Sequence, residues 1–372
     1  MYISNLKLNN FRNYNSLNID FQPSVNVIYG KNGYGKTNLL EAMFLCCIGK
    51  SFRTSHESEL IKQGTDEYNV CVRLENNISR DINISYNKEK RRDISVDGLK
   101  IEKIRFLLGR AVGIIFSPET IRLVNDGPSE RRKFLDMTLC QLSSEYYYNL
   151  YVYTKSLEEK NKILCGSNYG YDKLLMSVIN EKLAVYGAKV AIKRFETIQK
   201  IGEFSKHYYG IISEEEEELF LRYRPSGVIF GDNEYNENKI SEAFYNELTS
   251  NEIIQRELDN KRSVIGPQRD DFDIILNGLS LKTYGSQGQK RSATVALKLA
   301  ELGLVKEVSG RTPILFLDDV LSELDNRRKG KILELTGELQ TFYTCAEKSD
   351  FIIDRGMKNA DCVNFIEVEN LR

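Results

Sequence analysis

Gly30-Lys31-Asn32-Gly33-Tyr34-Gly35-Lys36-Thr37 fits the pattern G-x-x-x-x-G-K-[ST] at every fixed position. Such glycines let the backbone wrap a polyphosphate, successive amides and the N-terminus of the next helix point at its oxygens, and Lys36 adds a point charge. The Thr37 hydroxyl is then placed to bind Mg²⁺. A metal held this way needs a carboxylate at the end of a buried strand. Pro313-Ile314-Leu315-Phe316-Leu317-Asp318-Asp319 supplies one, an apolar run followed by two acids. Asp318 would orient Mg²⁺ and its water, and Asp319 would polarise an attacking water, so Lys36, Asp318 and Asp319 are the catalytic candidates and Thr37 and Asp318 the metal candidates. Taken singly, the loop could be a glycine turn and the acids a helix cap. Together they point to nucleotide chemistry.

These groups lie near opposite ends of the chain, so the elements that position them must bring the ends together and exclude the middle. Ile3, Leu6, Leu8 and Phe11, then Leu17, Ile19 and Phe21, are spaced as half-buried strands, and Val25, Val27 and Ile28 form a third just before the loop. From Lys36 the period becomes helical, through Leu39, Leu40, Met43, Phe44 and Cys47. Residues 68 to 116 return to short strand-like runs, such as Tyr68 to Val72 and Ile82 to Ser85. After Pro128 long helical patterns begin, with Leu175, Ile179, Leu183, Tyr186 and Val190 on one face. That phase slips beyond Val190, which argues against a long coiled-coil rod. The acidic run Glu214 to Glu218 reads as a solvated surface. Strand-like segments resume near Val264 and at Ile274 to Leu276, a helix is expected over 289–306, and Thr312 to Leu317 is a dense apolar strand. The division that follows is an α/β domain from 1–127 and 261–372 with a helical domain of 128–260 inserted in it.

With 372 residues, 52 basic and 53 acidic side chains and 41% hydrophobic content, the chain is a near-neutral globular protein of about two domains. The longest apolar run, Ala42 to Ile48, is far short of the ~20 residues that cross a bilayer. Met1 to Asn15 has no signal-peptide pattern, and a cytoplasmic location without a membrane partner is expected. Seven cysteines without a C-x-x-C pair argue against a disulfide framework or thiolate zinc and read as reduced core residues. Two histidines, His56 and His207, nearly exclude histidine-based catalysis or a His-ligated metal.

Ser286-Gln287-Gly288-Gln289, ahead of a helix, resembles the signature motif of ABC-type ATPases, and Ser322-Glu323-Leu324-Asp325 resembles their D-loop. In that class the serine, the glycine amide and the helix N-terminus face the γ-phosphate of nucleotide bound to the other subunit. Further blocks narrow the likeness: Leu8 to Tyr14, Gly30 to Ala42, Lys50-Ser51-Phe52-Arg53-Thr54, Phe116-Ser117-Pro118-Glu119, Pro128 to Asp136, Gly266-Pro267-Gln268-Arg269-Asp270-Asp271 and Leu317 to Asp325. The chain strongly resembles the RecF family of bacterial recombination mediators, related to SMC proteins, over essentially its whole length.

The resemblance implies an ABC-type P-loop ATPase head of α/β fold formed by both chain ends, with a mainly helical inserted arm. It implies ATP and Mg²⁺ as cofactors, an ATP-dependent homodimer, and a cytoplasmic, nucleoid-associated protein that binds duplex DNA and gap junctions. RecO and RecR are the implied partners, with a functional link to loading of RecA. By matching position, Arg12, Gly30, Lys31, Asn32, Gly33, Tyr34, Gly35, Lys36, Thr37 and Asn38 would bind nucleotide in one copy, and Ser286, Gly288 and Gln289 would meet nucleotide held by the other. Phe52 and Gln268 stand where the family more often has histidine, no glutamine-loop residue is evident near Ser117-Pro118-Glu119, and Thr344-Cys345-Ala346 offers no switch histidine. Weak, slow, DNA-stimulated hydrolysis is the expected activity.

Net charge lends DNA binding no support, so any DNA site must be a local patch. The candidates are Lys88, Lys90, Arg91 and Arg92; Arg131, Arg132 and Lys133; and Arg327, Arg328, Lys329 and Lys331. An SMC-like tethering ATPase and a soluble ATPase subunit of a membrane transporter are the competing classes. The short arm without sustained heptads weighs against the first, and the large helical insertion and missing histidine against the second.

Overall fold

The computed structural model describes residues 1–166, 173–213, 217–228, 236–320, 326–351 and 363–371. The proposed D-loop Ser322-Glu323-Leu324-Asp325 and Cys362 lie outside them. The chain divides into two compact units, one made of Met1–Ile121 with Glu301–Arg372, the other of Arg122–Ala300.

The first unit joins both ends of the chain, as the spacing of its motifs requires. Among its described residues, an antiparallel sheet runs in the order Tyr14–Asp20, Tyr2–Phe11, Glu67–Glu75, Arg80–Asn87, Arg91–Val96 and Leu99–Lys100. Alternate residues such as Ile3, Leu6 and Leu8 are buried, the pattern of a sheet with one covered face. A second, wholly parallel sheet runs Asn364–Glu367, Val25–Tyr29, Thr341–Cys345, Ile314–Asp318 and Gly113–Phe116. Ile314–Asp318 and Thr341–Cys345 are buried at every position, as strands covered on both faces must be. The helix Lys36–Ile48 packs Phe44 edge-on against Phe316, which stacks on Phe342 at 5.5 Å. Buried Gln340 ties the two sheets together: its Oε1 accepts from the Ile3 amide, and its Nε2 donates to the Ile3 and Gln22 carbonyls at 2.7 and 2.9 Å.

The second unit is mainly helical, with helices Pro128–Leu142, Ser144–Cys165, Lys173–Ser213, Glu237–Leu248 and Asn251–Asn260. The helix Lys173–Ser213 continues well past the phase slip at Val190, because Ile198, Ile201, Tyr209 and Ile212 renew a buried face. Its first turns differ from the expected pattern: Leu175 is exposed, and burial begins at Met176 and Ile179. Gly187 allows close packing, since a Cβ there would lie 2.7 Å from Phe244.

A short antiparallel sheet of Leu219–Arg224, Asp271–Leu276 and Leu279–Ser280 belongs to this unit. That pairing explains why the helical unit extends beyond the sequence boundary at 261: Asp271–Leu276 finds its partner at Leu219–Arg224 rather than in the sheets of the chain ends. The segment around Val264 forms no strand.

Motif blocks from distant positions meet in a buried ionic network of this unit. Arg194 is 2% exposed and forks onto Asp136 at 2.9 and 3.0 Å. It also donates to the Pro267 carbonyl at 2.6 Å and to Asp270 at 3.3 Å. Asp270 accepts as well from the Tyr223 hydroxyl and the Ser226 amide. Arg131 forks onto Asp271 at 2.6 and 2.9 Å, and Arg132 donates to the Asp270 carbonyl at 2.7 Å. Arg131 is thus committed inside the fold and is not part of a solvated basic face. Gln268 retains hydrogen bonding where histidine is more usual, accepting from Tyr153 and donating to the Ile265 carbonyl.

Candidate nucleotide site

The site lies at the carboxyl ends of the parallel strands, where ligands of open α/β sheets bind. Val25–Tyr29 leads into the glycine loop and then into the helix Lys36–Ile48, as the change of period predicts. Gly35, at the N-cap with φ of 103°, has neither a side-chain acceptor nor a Cβ, which would lie 2.6 Å from Asn13 Nδ2 and 2.8 Å from the Tyr14 hydroxyl. Tyr14 donates to the Gly35 carbonyl at 3.2 Å and Asn13 to the Tyr34 carbonyl at 3.1 Å, so the first hairpin braces the loop from outside. On the other side a Cβ at Gly30 would strike Val368, and the Lys31 amide donates to Glu369 at 3.2 Å.

The Lys36 ammonium is buried across this loop. It donates to the Gly30 carbonyl, and at 3.2 Å to the Lys31 carbonyl and to Asn32 Oδ1. Burial pulls its pKa below the ordinary lysine value, while Asp319 and Asp318 pull it back. Thr37 donates to Asp318 Oδ1 at 2.8 Å across 281 residues of sequence. The strand order produces this meeting: Thr341–Cys345 lies between the loop strand and Ile314–Asp318, with Thr344 in register with both Ile28 and Asp318.

Thr344 also shows what stands at the place of the missing switch histidine. Its hydroxyl donates to Asp318 Oδ1 at 3.0 Å and accepts from the Asp319 amide at 2.9 Å, holding both acids. Burial raises the Asp318 carboxyl above its ordinary value, against the hydrogen bonds from Thr37 and Thr344. Asp319 adopts φ of 51°, a left-handed conformation costly for a residue other than glycine and concentrated at functional positions.

Arg12, at φ of 54°, forks onto Glu41 at 2.9 and 2.8 Å and donates to the Glu59 carbonyl at 2.8 Å. Glu41 is fully buried and also accepts from the Ser51 hydroxyl and, at 3.3 Å, from Arg53. Arg53 donates in turn to Asn38 Oδ1 at 2.9 Å, and Asn38 donates to Asn13 at 2.8 Å. One carboxylate therefore gathers Arg12, the Lys50 to Thr54 block and the exposed edge of the loop helix. Beside it a cavity of about 580 Å³ is lined by Arg12, Asn13, Tyr14, Lys62 and Leu371 among others. Phe52 contributes packing, edge-on to Phe44 at 5.6 Å.

In the helical unit, Ser286 and Gln289 form a reciprocal cap on the helix Gln287–Ser309: the Ser286 amide donates to Gln289 Oε1 at 2.8 Å, and the Gln289 amide to Ser286 Oγ at 3.2 Å. Gln289 Nε2 donates to Glu217 at 2.6 Å, and Glu217 accepts from the Tyr209 hydroxyl at 2.8 Å. Glu217 is therefore a bonded part of the fold, although the acidic run reads as plain surface.

Sequence reasoning does not single out Thr344, Glu41, Glu217 or Glu369 as site residues, although Glu41 lies inside the loop-helix block and Thr344 at the place of the switch histidine. Thr37 and Asp318 offer hard oxygen donors 2.8 Å apart, and no group of three or more His, Cys, Asp or Glu side chains converges among the described residues. That donor set fits Mg²⁺, which uses one or two protein ligands together with substrate phosphates. The residues thus fit a magnesium nucleotide.

The family model for the RecF/RecN/SMC N terminal domain matches residues 2–353. A protein of Acetivibrio thermocellus described as DNA replication and repair protein RecF is 40% identical over 355 residues, 94% of this chain and 95% of that protein. The chain belongs to the RecF family. A RecF of Clostridium acetobutylicum is 36% identical over 373 residues, 100% of this chain and 99% of its own. A solved structure of the recombination mediator protein RecF-ATPrS in RecFOR pathway superposes with a TM-score of 0.89 at 36% identity, covering 99% of this chain and 96% of that one. An SMC head bound to ScpA shares the fold, with a TM-score of 0.54 at 16% identity over 98% of this chain and 94% of that one. The RecF family assignment and the ABC-type head built from both chain ends agree with the sequence reading. No helix among the described residues is long and apolar enough to cross a membrane.

Proposed function

We propose that this chain is an ATP-dependent DNA-binding protein of recombinational repair and replication-fork maintenance. The observation that carries the reading is the contact of Thr37 with Asp318 at the mouth of the glycine loop, beside the buried ammonium of Lys36. ATP would lie with its phosphates along Gly30 to Thr37, and its nucleoside would take the cavity lined by Asn13, Tyr14 and Lys62. Thr37 and Asp318 would hold Mg²⁺, which supplies charge neutralisation at the β- and γ-phosphates when bound. Asp319 is assigned to the attacking water and Arg12, through the N–H groups it does not spend on Glu41 and Glu59, to a phosphate.

Two copies would close around two nucleotides, each capped by Ser286, Gly288 and the helix starting at Gln287 of the twin. The closed pair would clamp duplex DNA near single-strand gaps and assist RecA loading with RecO and RecR. Slow hydrolysis to ADP and phosphate, stimulated by DNA, would reopen it. The solved relatives named for ATP and for the RecFOR pathway support this reading.

Retention on a gapped duplex, measured with ATP, a nonhydrolysable analogue and ADP, tests the proposal. Retention with ATP and the analogue but not with ADP is expected, and retention indifferent to nucleotide would overturn it.

A further inference from the structure

The helical unit contains a cavity of about 330 Å³ whose lining carries three arginines, Arg132, Arg262 and Arg269, with Asn161 and Gln268 between them and no carboxylate among its lining residues. Two of the arginines are fixed through neutral acceptors: Arg132 donates to the Asp270 carbonyl at 2.7 Å and Arg269 to the Ser263 carbonyl at 3.1 Å. A carbonyl orients a guanidinium without cancelling its charge. The Arg262 side chain is exposed and makes no hydrogen bond or ion pair with any described residue. This differs from Arg131 and Arg194 of the same unit, both forked onto aspartates.

Pro128 also lines the cavity and opens the fifteen-residue helix Pro128–Leu142, whose N-cap Gly127 has no side-chain acceptor. The positive end of that helix dipole adds to the three guanidiniums. Burial lowers the pKa of Arg132 and the charge of Arg194, outside the cavity lining, lowers it further, with Asp271, Asp270 and Asp136 opposing. Guanidiniums lining one cavity offer planar donor forks suited to a tetrahedral oxyanion, which takes several N–H donors at once.

We propose that this cavity is a phosphate-binding site and that its ligand is a backbone phosphate of nucleic acid. The choice of nucleic acid rests on the function proposed above; the oxyanion chemistry rests on the cavity alone. A free phosphate compound presents the same chemistry, and the test separates the two sources.

The full-length chain is compared with Arg262→Gln, an exposed position whose loss should leave thermal unfolding and ATP affinity unchanged. Binding of a labelled duplex is followed by anisotropy with ATP between 50 and 200 mM salt, and binding of inorganic phosphate by calorimetry. A loss of about tenfold in duplex affinity on any sequence, with the slope of log affinity against log salt shallower by about 1, is expected. Loss of phosphate binding with unaltered duplex binding would keep the cavity as a phosphate site and overturn its assignment to nucleic acid. Should the wild-type chain bind no duplex while its phosphate affinity depends on Arg262, the DNA function fails and the phosphate site stands. Equal duplex and phosphate affinities in the two proteins would overturn the inference entirely.

Discussion

Asp270 in the helical unit and Asp318 beside the glycine loop are both buried carboxylates, 1% and 6% exposed, and burial pushes both upward in pKa. Asp270 is answered by a permanent cation: Arg194 sits against it and is shared with Asp136. Burial works against the charge of Arg194, yet Asp136 leads the interactions that keep it protonated. Asp318 makes no ion pair among the described residues, and its hydrogen bonds come from the hydroxyls of Thr37 and Thr344. A buried acid with its own arginine belongs to the architecture, whereas one held only by hydroxyls is suited to receive a cation from outside. The same difference separates Arg131 and Arg194 from Arg262.

The largest effect should come from breaking the compensated cluster. Arg194→Ala leaves Asp136 and Asp270 without their shared partner, and loss of one member of a buried pair costs about 3–5 kcal/mol. Urea unfolding followed by circular dichroism should show it, and a loss below about 1 kcal/mol would mean that the cluster does not hold the helical unit.

Lys36→Ala acts on function instead. Loss of its charged hydrogen bonds to phosphate, about 1.5–3 kcal/mol, should weaken ATP binding roughly 10- to 100-fold with little change in stability. Unchanged ATP affinity by calorimetry would remove the assigned cradle.

Asp318→Asn sharpens the contrast through pH. The folded chain holds the Asp318 proton more tightly than the unfolded chain, so this group favours the fold below its unfolded value and loses that contribution as pH rises through the raised folded value. At neutral pH the ligand-free variant should therefore be more stable than wild type, by about 1 kcal/mol. The gap should close toward the acidic end, while Mg²⁺-dependent tightening of ATP binding disappears. A variant less stable than wild type at neutral pH would show that Asp318 is compensated after all.

The smallest effect is expected at Glu217, which joins Gln289 to Tyr209. Glu217→Gln should leave ATP binding to the single chain intact and weaken ATP-induced pairing a few-fold, read by mass photometry across a dilution series. Equal pairing would confine Glu217 to packing.

The glycine loop and Asp318 are legible in sequence because each is local chemistry: a turn that needs glycines, and an apolar strand that stops at an acid. Thr344 is not, because its role comes from strand register, which sets it beside Asp318 only after two parallel strands pair. Arg131 and Arg132 read as a solvated basic run because their partners lie about 140 residues away, at Asp271 and Asp270. Ser286 could be read as a helix cap or as a ligand of the twin's nucleotide; within one chain it is a cap, and a cap at a helix start also presents the amides that a phosphate would meet.

The central claim is that nucleotide held at Lys36, Thr37 and Asp318 joins two copies through Ser286. Light scattering of the ATP-saturated chain, alongside Ser286→Arg, tests it most directly. The mass should double with ATP in the wild type and stay at one chain in the variant, although both bind nucleotide. A wild-type chain that remains single at saturating ATP would contradict the account.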